Sequence, residues 1–315
     1  MTAETLLPPE TKEMLALIGE QLDAGQQLRA HNDGVIKPST PAVARQPLGE
    51  EKADGRSWRT GRPAARSRQG AARREGASRR PRSSRAEARF GSDDLRTAYQ
   101  GQVAHVTEAY STLQAFPDDD GMWLLTDSSV ISGLKRKATF LVALPYRAGT
   151  LAMAWGFWKE GGRFHWIGPR HTNFGNGSIC AFSPEDRAWS EGGDVTTLLD
   201  LYSCWALRHL HLEVFGRWPG KQYSLGWDPA IQALYRLTDC KDHELCGCGS
   251  ETRRYAECCK PSDLRWNYID LTKYFLHKVP GGFQSRQPPK PVADFITGRA
   301  TIPCIASVHP QFARR

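Results

Sequence analysis

Four short runs of β-branched and aromatic residues follow one another between residues 122 and 168, and they constrain the fold more than any other feature. The runs read MWLLTDSSVISGL, KATFLVALPY, TLAMAWGFW and GRFHWIG. Short stretches with glycine and charged residues separate them, which is typical of an antiparallel meander. We therefore expect a four-stranded antiparallel sheet in this part of the chain.

Helical patterns precede and follow the expected sheet. Near the start, a short amphipathic helix is predicted by apolar residues at helical spacing: Met14, Leu15, Leu17, Ile18 and Leu22. A second helix is predicted over residues 92–116, ended by Pro117. Beyond the sheet, Asp194 as a cap and Gly216 as a terminator predict a long helix, and DPAIQALYRL predicts a shorter one. Because helices and strands are segregated along the chain, we expect an α+β fold.

The basic charge of the chain is concentrated in residues 56–89. This stretch carries twelve arginines and two glutamates, whereas the whole chain has a net charge of +8. It has almost no aliphatic residues, so burial cannot offset the entropy cost of ordering it, and we expect a disordered tether. Two interpretations stay open: a solvated linker, or weak non-specific contact of residues 56–90 with nucleic acid.

The sequence shows neither a targeting segment nor a membrane span. The apolar patch near the start, MLALIG, is short and flanked by acidic residues, unlike a signal peptide. The longest apolar runs are shorter than the roughly 20 residues that a spanning helix needs. Eight cysteines without a secretion signal predict a reducing, cytoplasmic setting, in which clustered cysteines point to metal binding or catalysis.

One cysteine lies in a stretch with little helical or strand character, RHTNFGNGSICAF. A lone cysteine is usually a small buried apolar residue, so its neighbours decide its interpretation. His171 and Asn173 precede Cys180, and Trp189 and Ser190 follow it before the long helix. This order resembles the ubiquitin-conjugating enzymes, in which a His-Pro-Asn turn, an Ile-Cys pair and a Trp-Ser pair come before a helix.

The resemblance covers residues 123–237 and implies a ubiquitin-conjugating-enzyme-like fold. It implies that Cys180 carries a modifier as a thioester and passes it to an amine. Asn173 would stabilise the oxyanion of the transition state, and His171 would organise the loop. Thr172 stands where the family has proline, which removes a fixed φ angle from the turn.

A second stretch, WALRHLHLEVFGRWPG, resembles the conjugating enzymes of bacterial anti-phage operons that signal with cyclic oligonucleotides, known as CBASS. This implies that the partner is a neighbouring nucleotidyltransferase or a ubiquitin-like protein. The C-terminus of that partner would be carried on Cys180. No acidic residue is assigned as a base for the incoming amine, although Glu185 and Asp186 lie nearby in the sequence.

A second group of cysteines occurs in CGCGSETRRYAECC. Four thiolates in a short segment suit a tetrahedral zinc ion, and the candidate ligands are Cys246, Cys248, Cys258 and Cys259. The segment resembles the SEC-C zinc motif, with one extra residue between the cysteine pairs. It predicts a structural Zn²⁺ knuckle that docks a protein or a polyanion. Cys240 and His243 are close enough in sequence to be substitute ligands.

The sequence therefore predicts four parts. They are a mostly disordered N-terminal extension with one short helix (1–91), a conjugating domain (92–239), a zinc motif (240–262) and a helical, then irregular tail (263–315). Cys204 and Cys304 are interpreted as structural.

Two alternatives remain for the function. One is a papain-like enzyme that pairs Cys180 with His209, His211 or His243. The other is a non-catalytic adaptor that binds protein or nucleic acid through the zinc knuckle and the arginine-rich tether.

Overall fold

The computed structural model describes residues 8–24, 28–30, 36–38, 91–128, 136–182, 188–220, 228–248, 250, 252–278 and 286–309, with the backbone alone for 28–30 and 36–38. The arginine-rich residues 56–90, together with Glu185 and Asp186, lie outside the described residues. Interpretations that depend on them stay predictions.

Helices and strands are segregated along the described chain. In order, the elements are α1 (Pro9–Asp23), β1 (Leu28–Ala30), β2 (Ile36–Pro38), α2 (Ser92–Ala109), β3 (Gln114–Asp118), β4 (Gly121–Asp127), β5 (Ala138–Pro145), β6 (Met153–Glu160), β7 (Arg163–Trp166), α3 (Val195–Phe215), α4 (Pro229–Asp239), α5 (Lys260–Asp263), α6 (Tyr268–Lys278), α7 (Lys290–Ile296) and α8 (Ile305–Val308). A single 3₁₀ turn, Tyr255–Glu257, precedes α5. The predicted α+β class is confirmed.

The central sheet has one strand more than we expected. Strands β3 to β7 are neighbours in chain order, and each neighbouring pair is antiparallel. The predicted helix over residues 92–116 ends at Ala109, and Pro117 lies in strand β3 at the edge of the sheet. An edge strand tolerates proline because one of its sides makes no ladder hydrogen bonds. The prediction of four strands was therefore wrong.

Both faces of the sheet are covered. Strand β5 is buried along its whole length, as expected for a strand between two layers. Phe140 faces the side packed by Trp205 of α3, whereas Leu141 faces the side packed by Val292 of α7. The C-terminal segment, expected to be helical and then irregular, supplies a second core layer through α7 and α8. Trp123 Nε1 fixes that layer by donating to the carbonyl of Pro303 at 2.7 Å.

Helix α3 begins and ends where the sequence predicts. The Asp194 carboxylate caps it by accepting hydrogen bonds from the main-chain N–H groups of Thr196 and Thr197. Gly216 ends it in the left-handed conformation, with φ of +64°. A Cβ atom on Gly156 of β6 would lie 2.8 Å from the Trp205 ring, so this glycine permits the close approach of helix and sheet.

Helix α1 packs on the same layer as α3. Leu15 and Leu22 are buried, and a Cβ atom on Gly19 would lie 2.3 Å from His211 Nε2 of α3. The predicted amphipathic helix near the start is thus confirmed. Among the helices that the structure describes, none is both long enough and apolar enough to cross a membrane.

Candidate active site and cysteine cluster

Main-chain hydrogen bonds fix the loop that leads from β7 to Cys180. Cys180 N donates to the His171 carbonyl at 3.0 Å, so the two ends of the turn are joined. Ile179 N donates to the carbonyl of Ala154 in β6 at 2.7 Å. The loop is therefore attached to the sheet, and Cys180 is held at a defined position.

His171 is packed between aromatic side chains. Its ring stacks on Trp218 with centroids 4.0 Å apart, and its carbonyl accepts a hydrogen bond from Trp205 Nε1 at 2.8 Å. Its φ angle is +49°, an uncommon conformation for a residue with a side chain. Burial, together with the positive charge of Arg170, holds the pKa of His171 well below its ordinary value. The imidazole is neutral near pH 7, so it suits a packing role.

Asn173 lies at the surface, and its amide belongs to the turn. Its Nδ2 donates to Ser178 Oγ at 3.0 Å and to the Ile179 carbonyl at 3.3 Å. Its main-chain N–H donates to the Ser178 carbonyl at 2.7 Å. Both hydrogens of the amide therefore hold the loop that carries Cys180. The oxyanion role stays a prediction, since it requires one of these hydrogens to turn toward a bound carbonyl.

The cysteines differ in how accessible their thiols are. Cys180 is exposed, and so is Cys304, whose Sγ lies 3.9 Å from Asp118 Oδ1. Cys204 is half-buried within α3, and burial raises its pKa to about 12. A thiol with such a pKa is almost entirely protonated at pH 7 and is a poor nucleophile. Cys180 has the accessibility that thioester chemistry needs.

Two residues within electrostatic range of Cys180 were missed by the sequence analysis. Tyr235 of α4 and Arg286, which precedes α7, both interact electrostatically with the Cys180 thiol. Burial lowers the pKa of Arg286 to about 10, so its guanidinium stays protonated at pH 7. Burial raises the pKa of Tyr235 to about 12, so its phenol stays neutral. Cys180 therefore lies within electrostatic range of a fixed positive charge.

The two histidines of α3 are engaged with main-chain carbonyls. His209 Nε2 lies 2.7 Å from the Arg170 carbonyl, and its ring packs on Trp205. Burial lowers the pKa of His209 to about 3, which disfavours a role as a base. His211 Nδ1 lies 2.8 Å from the Arg217 carbonyl. These contacts do not favour a papain-like pair of Cys180 with His209 or His211, and a pair with His243 stays a prediction.

The residues that follow the loop lead directly into α3. Trp189 is buried, and its Nε1 donates to the Asp194 carbonyl at 2.8 Å. The Ser190 carbonyl accepts a hydrogen bond from Gly193 N at 2.9 Å. The Trp-Ser pair thus forms a short connection that sets where the helix starts.

The four cysteines of the second group come together. Their Sγ atoms all lie within 4.8 Å of one another: Cys246, Cys248, Cys258 and Cys259. The Cys248–Cys258 and Cys258–Cys259 sulfur distances are 3.7 and 3.9 Å. Tetrahedral metal–thiolate geometry with bonds of about 2.3 Å gives sulfur–sulfur distances of about 3.8 Å. The cluster fits a metal ion, while Cys240 and His243 are not members of it.

Buried ion pairs attach this knuckle (residues 240–263) to the rest of the fold. Arg170 Nη1 donates to Glu244 Oε2 at 3.3 Å and to Cys240 Sγ at 3.2 Å. Arg236 of α4 makes a bidentate pair with Asp263, at 2.8 and 2.7 Å. Since Arg170 directly precedes His171, the knuckle and the Cys180 loop share a buried contact.

Comparisons with known proteins identify no relative. No protein-family model, curated protein or solved structure matches this chain. The site is therefore interpreted from its own geometry and chemistry.

Proposed function

We propose that this protein is an acyltransferase with a ubiquitin-conjugating-enzyme-like fold, which carries a protein C-terminus on Cys180 as a thioester and transfers it to an amine. The observation that carries the proposal is the setting of Cys180: an exposed cysteine in a loop fixed by main-chain hydrogen bonds, whose own N–H donates to the His171 carbonyl. The order of helix, antiparallel sheet, cysteine loop and helix supports it further.

The reaction that we propose has two steps. The Cys180 thiolate attacks the carbonyl carbon of an activated carboxyl group, such as a thioester or an acyl adenylate, and the donor's leaving group departs with its electron pair. An amine then attacks the new thioester. The carbon–nitrogen bond forms, the carbon–sulfur bond breaks, the thiolate is restored, and the extra proton of the amine passes to water.

Asn173 and His171 have different roles in this proposal. Asn173 would turn one amide hydrogen from Ser178 Oγ or the Ile179 carbonyl toward the oxyanion that forms on the acyl carbon. His171 keeps the turn in place through its stack on Trp218, and its lowered pKa makes the ring a weak base for the thiol proton. The turn therefore supplies geometry and one hydrogen-bond donor, while the thiolate supplies the nucleophile.

We assign the four-cysteine cluster to Zn²⁺. The donor set is four soft thiolates, which zinc prefers, and the sulfur spacing suits a tetrahedral ion. Four protein ligands would leave no open coordination position, so the ion would stabilise the knuckle and take no part in the acyl transfer.

The proposed partner is an operon-encoded nucleotidyltransferase or a ubiquitin-like protein, and the proposed setting is cytoplasmic anti-phage defence. The support is the resemblance of WALRHLHLEVFGRWPG to the CBASS conjugating enzymes. Two tryptophans of this stretch, Trp205 and Trp218, pack directly around His171. The stretch thus belongs to the wall of the site that would do the chemistry.

A second candidate function is binding through the surface formed by the knuckle and the residues that directly follow it. Leu264 and Ile269 are each 62% exposed, and Trp266 is 47% exposed. Arg253 and Arg254 are exposed on the neighbouring knuckle. A surface that combines exposed apolar residues with cations suits an adaptor for protein or nucleic acid, with or without catalysis by Cys180.

The test is to mix the purified protein with the protein encoded beside it and an ATP-supplied activating system. We expect an adduct that a reducing agent removes in the wild type. Cys180→Ala should form none, and Cys180→Ser should form an ester that resists the reducing agent. Cys304→Ser is the matched control because its thiol is also exposed. An adduct that persists in Cys180→Ala, or salt-sensitive binding alone, would favour the adaptor.

A further inference from the structure

The side chain of Arg286 joins the Cys180 loop to the end of helix α4. Its Nη2 donates to the Thr172 carbonyl at 2.7 Å, and its Nε donates to Thr172 Oγ1 at 3.3 Å. On the other side, Nη1 donates to Thr238 Oγ1 at 3.2 Å and pairs with the carboxylate of Asp239. Arg286 is only 7% exposed, so these bonds are shielded from water.

Aromatic rings enclose the same guanidinium. Its central carbon lies 4.1 Å from the centre of the Phe174 ring and 5.2 Å from that of Tyr235. Phe174 and Tyr235 also contact each other edge to face, with centroids 4.0 Å apart. A planar, delocalised cation can stack on rings while all its edges donate hydrogen bonds, which a lysine ammonium cannot do.

The main chain after Arg286 also lies against the loop. A Cβ atom on Gly177 would come within 2.7 Å of the Gln287 carbonyl carbon, and the φ angle of Gly177 is +63°. Glycine is therefore required here both for its conformation and for the close approach of the C-terminal segment.

We propose that Arg286 is a positioning residue, which fixes Thr172 and the turn of Asn173 and thereby places Cys180 for reaction. The inference rests on the proposed function, in which Cys180 carries the acyl group. Thr172 stands where the resembled family has proline, so the turn lacks an intrinsically fixed φ angle. The fork of Arg286 supplies that rigidity from outside the loop, through hydrogen bonds to both the carbonyl and the hydroxyl of Thr172.

The substitutions must distinguish two effects of Arg286: its hydrogen bonds to the loop and its positive charge near Cys180. Arg286 of the C-terminal segment, which pairs with Asp239 of α4, and the neutral phenol of Tyr235 lie within electrostatic range of the thiol. From the loop's own side, the cation of Arg170 acts on both His171 and Arg286. Arg286 thus holds the loop through its bonds to Thr172, and it places a positive charge within electrostatic range of Cys180.

The first test compares Arg286→Lys with the double variant Arg286→Met/Asp239→Asn, which avoids a buried unpaired carboxylate. Hydrogen exchange of the Asn173, Ile179 and Cys180 amides should become faster by about tenfold or more in both, because the bonds to Thr172 are lost. The pH midpoint of Cys180 alkylation by iodoacetamide should rise in the Met/Asn variant, and it should stay near the wild-type value in Arg286→Lys, which keeps the positive charge.

The second test perturbs the same contact without touching Arg286. Gly177→Ala should speed exchange at the same amides, because its methyl group pushes the main chain of Gln287 away. Gly161→Ala is the matched control: the φ angle of Gly161 is +56°, and nothing lies within 4 Å of its Cβ position. Gly161→Ala should leave the loop amides unchanged.

The outcomes distinguish this inference from the proposed function. Unchanged loop exchange in Arg286→Lys and in Gly177→Ala would overturn the positioning role, even if the wild type forms a thioester. The positioning role would also be overturned if the variants only lowered the melting temperature and increased the exchange rates of all amides equally. Faster loop exchange in a protein that forms no adduct would leave the positioning of Cys180 intact and reject the acyl-transfer function.

Discussion

The Cys180 loop and the four-cysteine knuckle use the same chemical group in opposite ways. The loop leaves one cysteine exposed and secures the main chain around it: the His171 carbonyl accepts from Cys180 N, while Asn173 Nδ2 and Ile179 N donate to main-chain carbonyls. The knuckle brings four sulfurs within 4.8 Å, an arrangement in which a metal ion would engage every thiol. Rigidity in the loop comes from the protein, whereas rigidity in the knuckle would come from the ion.

The two regions are nevertheless connected. Glu244 of the knuckle pairs with Arg170, which directly precedes His171, and both side chains are at most 5% exposed. A buried pair of this kind resists separation, because removing one partner leaves the other charged and desolvated. A change in the knuckle should therefore reach the loop, and the following predictions test how far it does.

The largest effect is expected from Cys246→Ala, which removes the most buried of the four sulfurs. Structural zinc sites contribute about 10 to 16 kcal/mol of binding free energy in small peptides, so the knuckle should unfold locally. Elemental analysis should show the loss of one equivalent of metal, with a lower melting temperature. Cys304→Ala, an exposed cysteine outside the cluster, should keep both at wild-type values. Retention of the metal in Cys246→Ala would contradict the assignment of the four cysteines as metal ligands.

Glu244→Gln should break the connection while leaving the cysteines in place. The uncompensated charge of Arg170 should cost about 3 kcal/mol or more, measured as the free energy of unfolding in urea. Asp242→Asn is the control, because its pair with Lys260 is largely exposed and should be worth less than about 1 kcal/mol. Equal losses in the two variants would mean that knuckle and loop are not coupled through Arg170.

Asn173→Ala should slow the transfer step by about 100-fold if one amide hydrogen reaches the oxyanion. Formation of the thioester should slow less, because the main-chain bonds of the loop remain. The control is Asn176→Ala, which removes the acceptor of the Ser178 N–H within the same loop. Single-turnover kinetics separate the two steps. If both steps slow together in both variants, Asn173 only supports the loop.

The most gradual effect concerns pH, because it is spread over several pH units. Burial lowers the pKa of His171, His209 and His211. Below about pH 6.5 the unfolded chain therefore binds protons at these histidines that the folded chain does not bind. Stability should be highest above pH 6.5 and should fall below it, with a slope of up to about 1.4 kcal/mol per pH unit for each histidine.

Urea unfolding measured between pH 4.5 and 7.5 checks this dependence. His209→Gln should reduce the slope, whereas His105→Gln, at an exposed position of α2, should not. A stability that is constant across this range would contradict the burial of neutral histidines around the loop.

Local patterns predicted much of the fold and part of the site. The cap at Asp194, the stop at Gly216 and the position of Cys180 in a loop follow from short sequence spans. Strand β3 was missed because Pro117 is equally compatible with a helix end and with an edge strand, and only sheet pairing decides between them. Arg286 was missed because Thr172, to which it donates, is distant in sequence. No local sequence pattern indicates that an arginine will hydrogen-bond to a remote turn.

Tandem mass spectrometry of the tryptic peptide 171–187 tests the central claim most directly, because Cys180 is its only cysteine. After incubation with the activated donor, this peptide should carry the mass of the donor's C-terminal fragment, and a reducing agent should remove it. An acyl mass on a lysine or on another cysteine, with peptide 171–187 unmodified throughout, would contradict thioester transfer through Cys180.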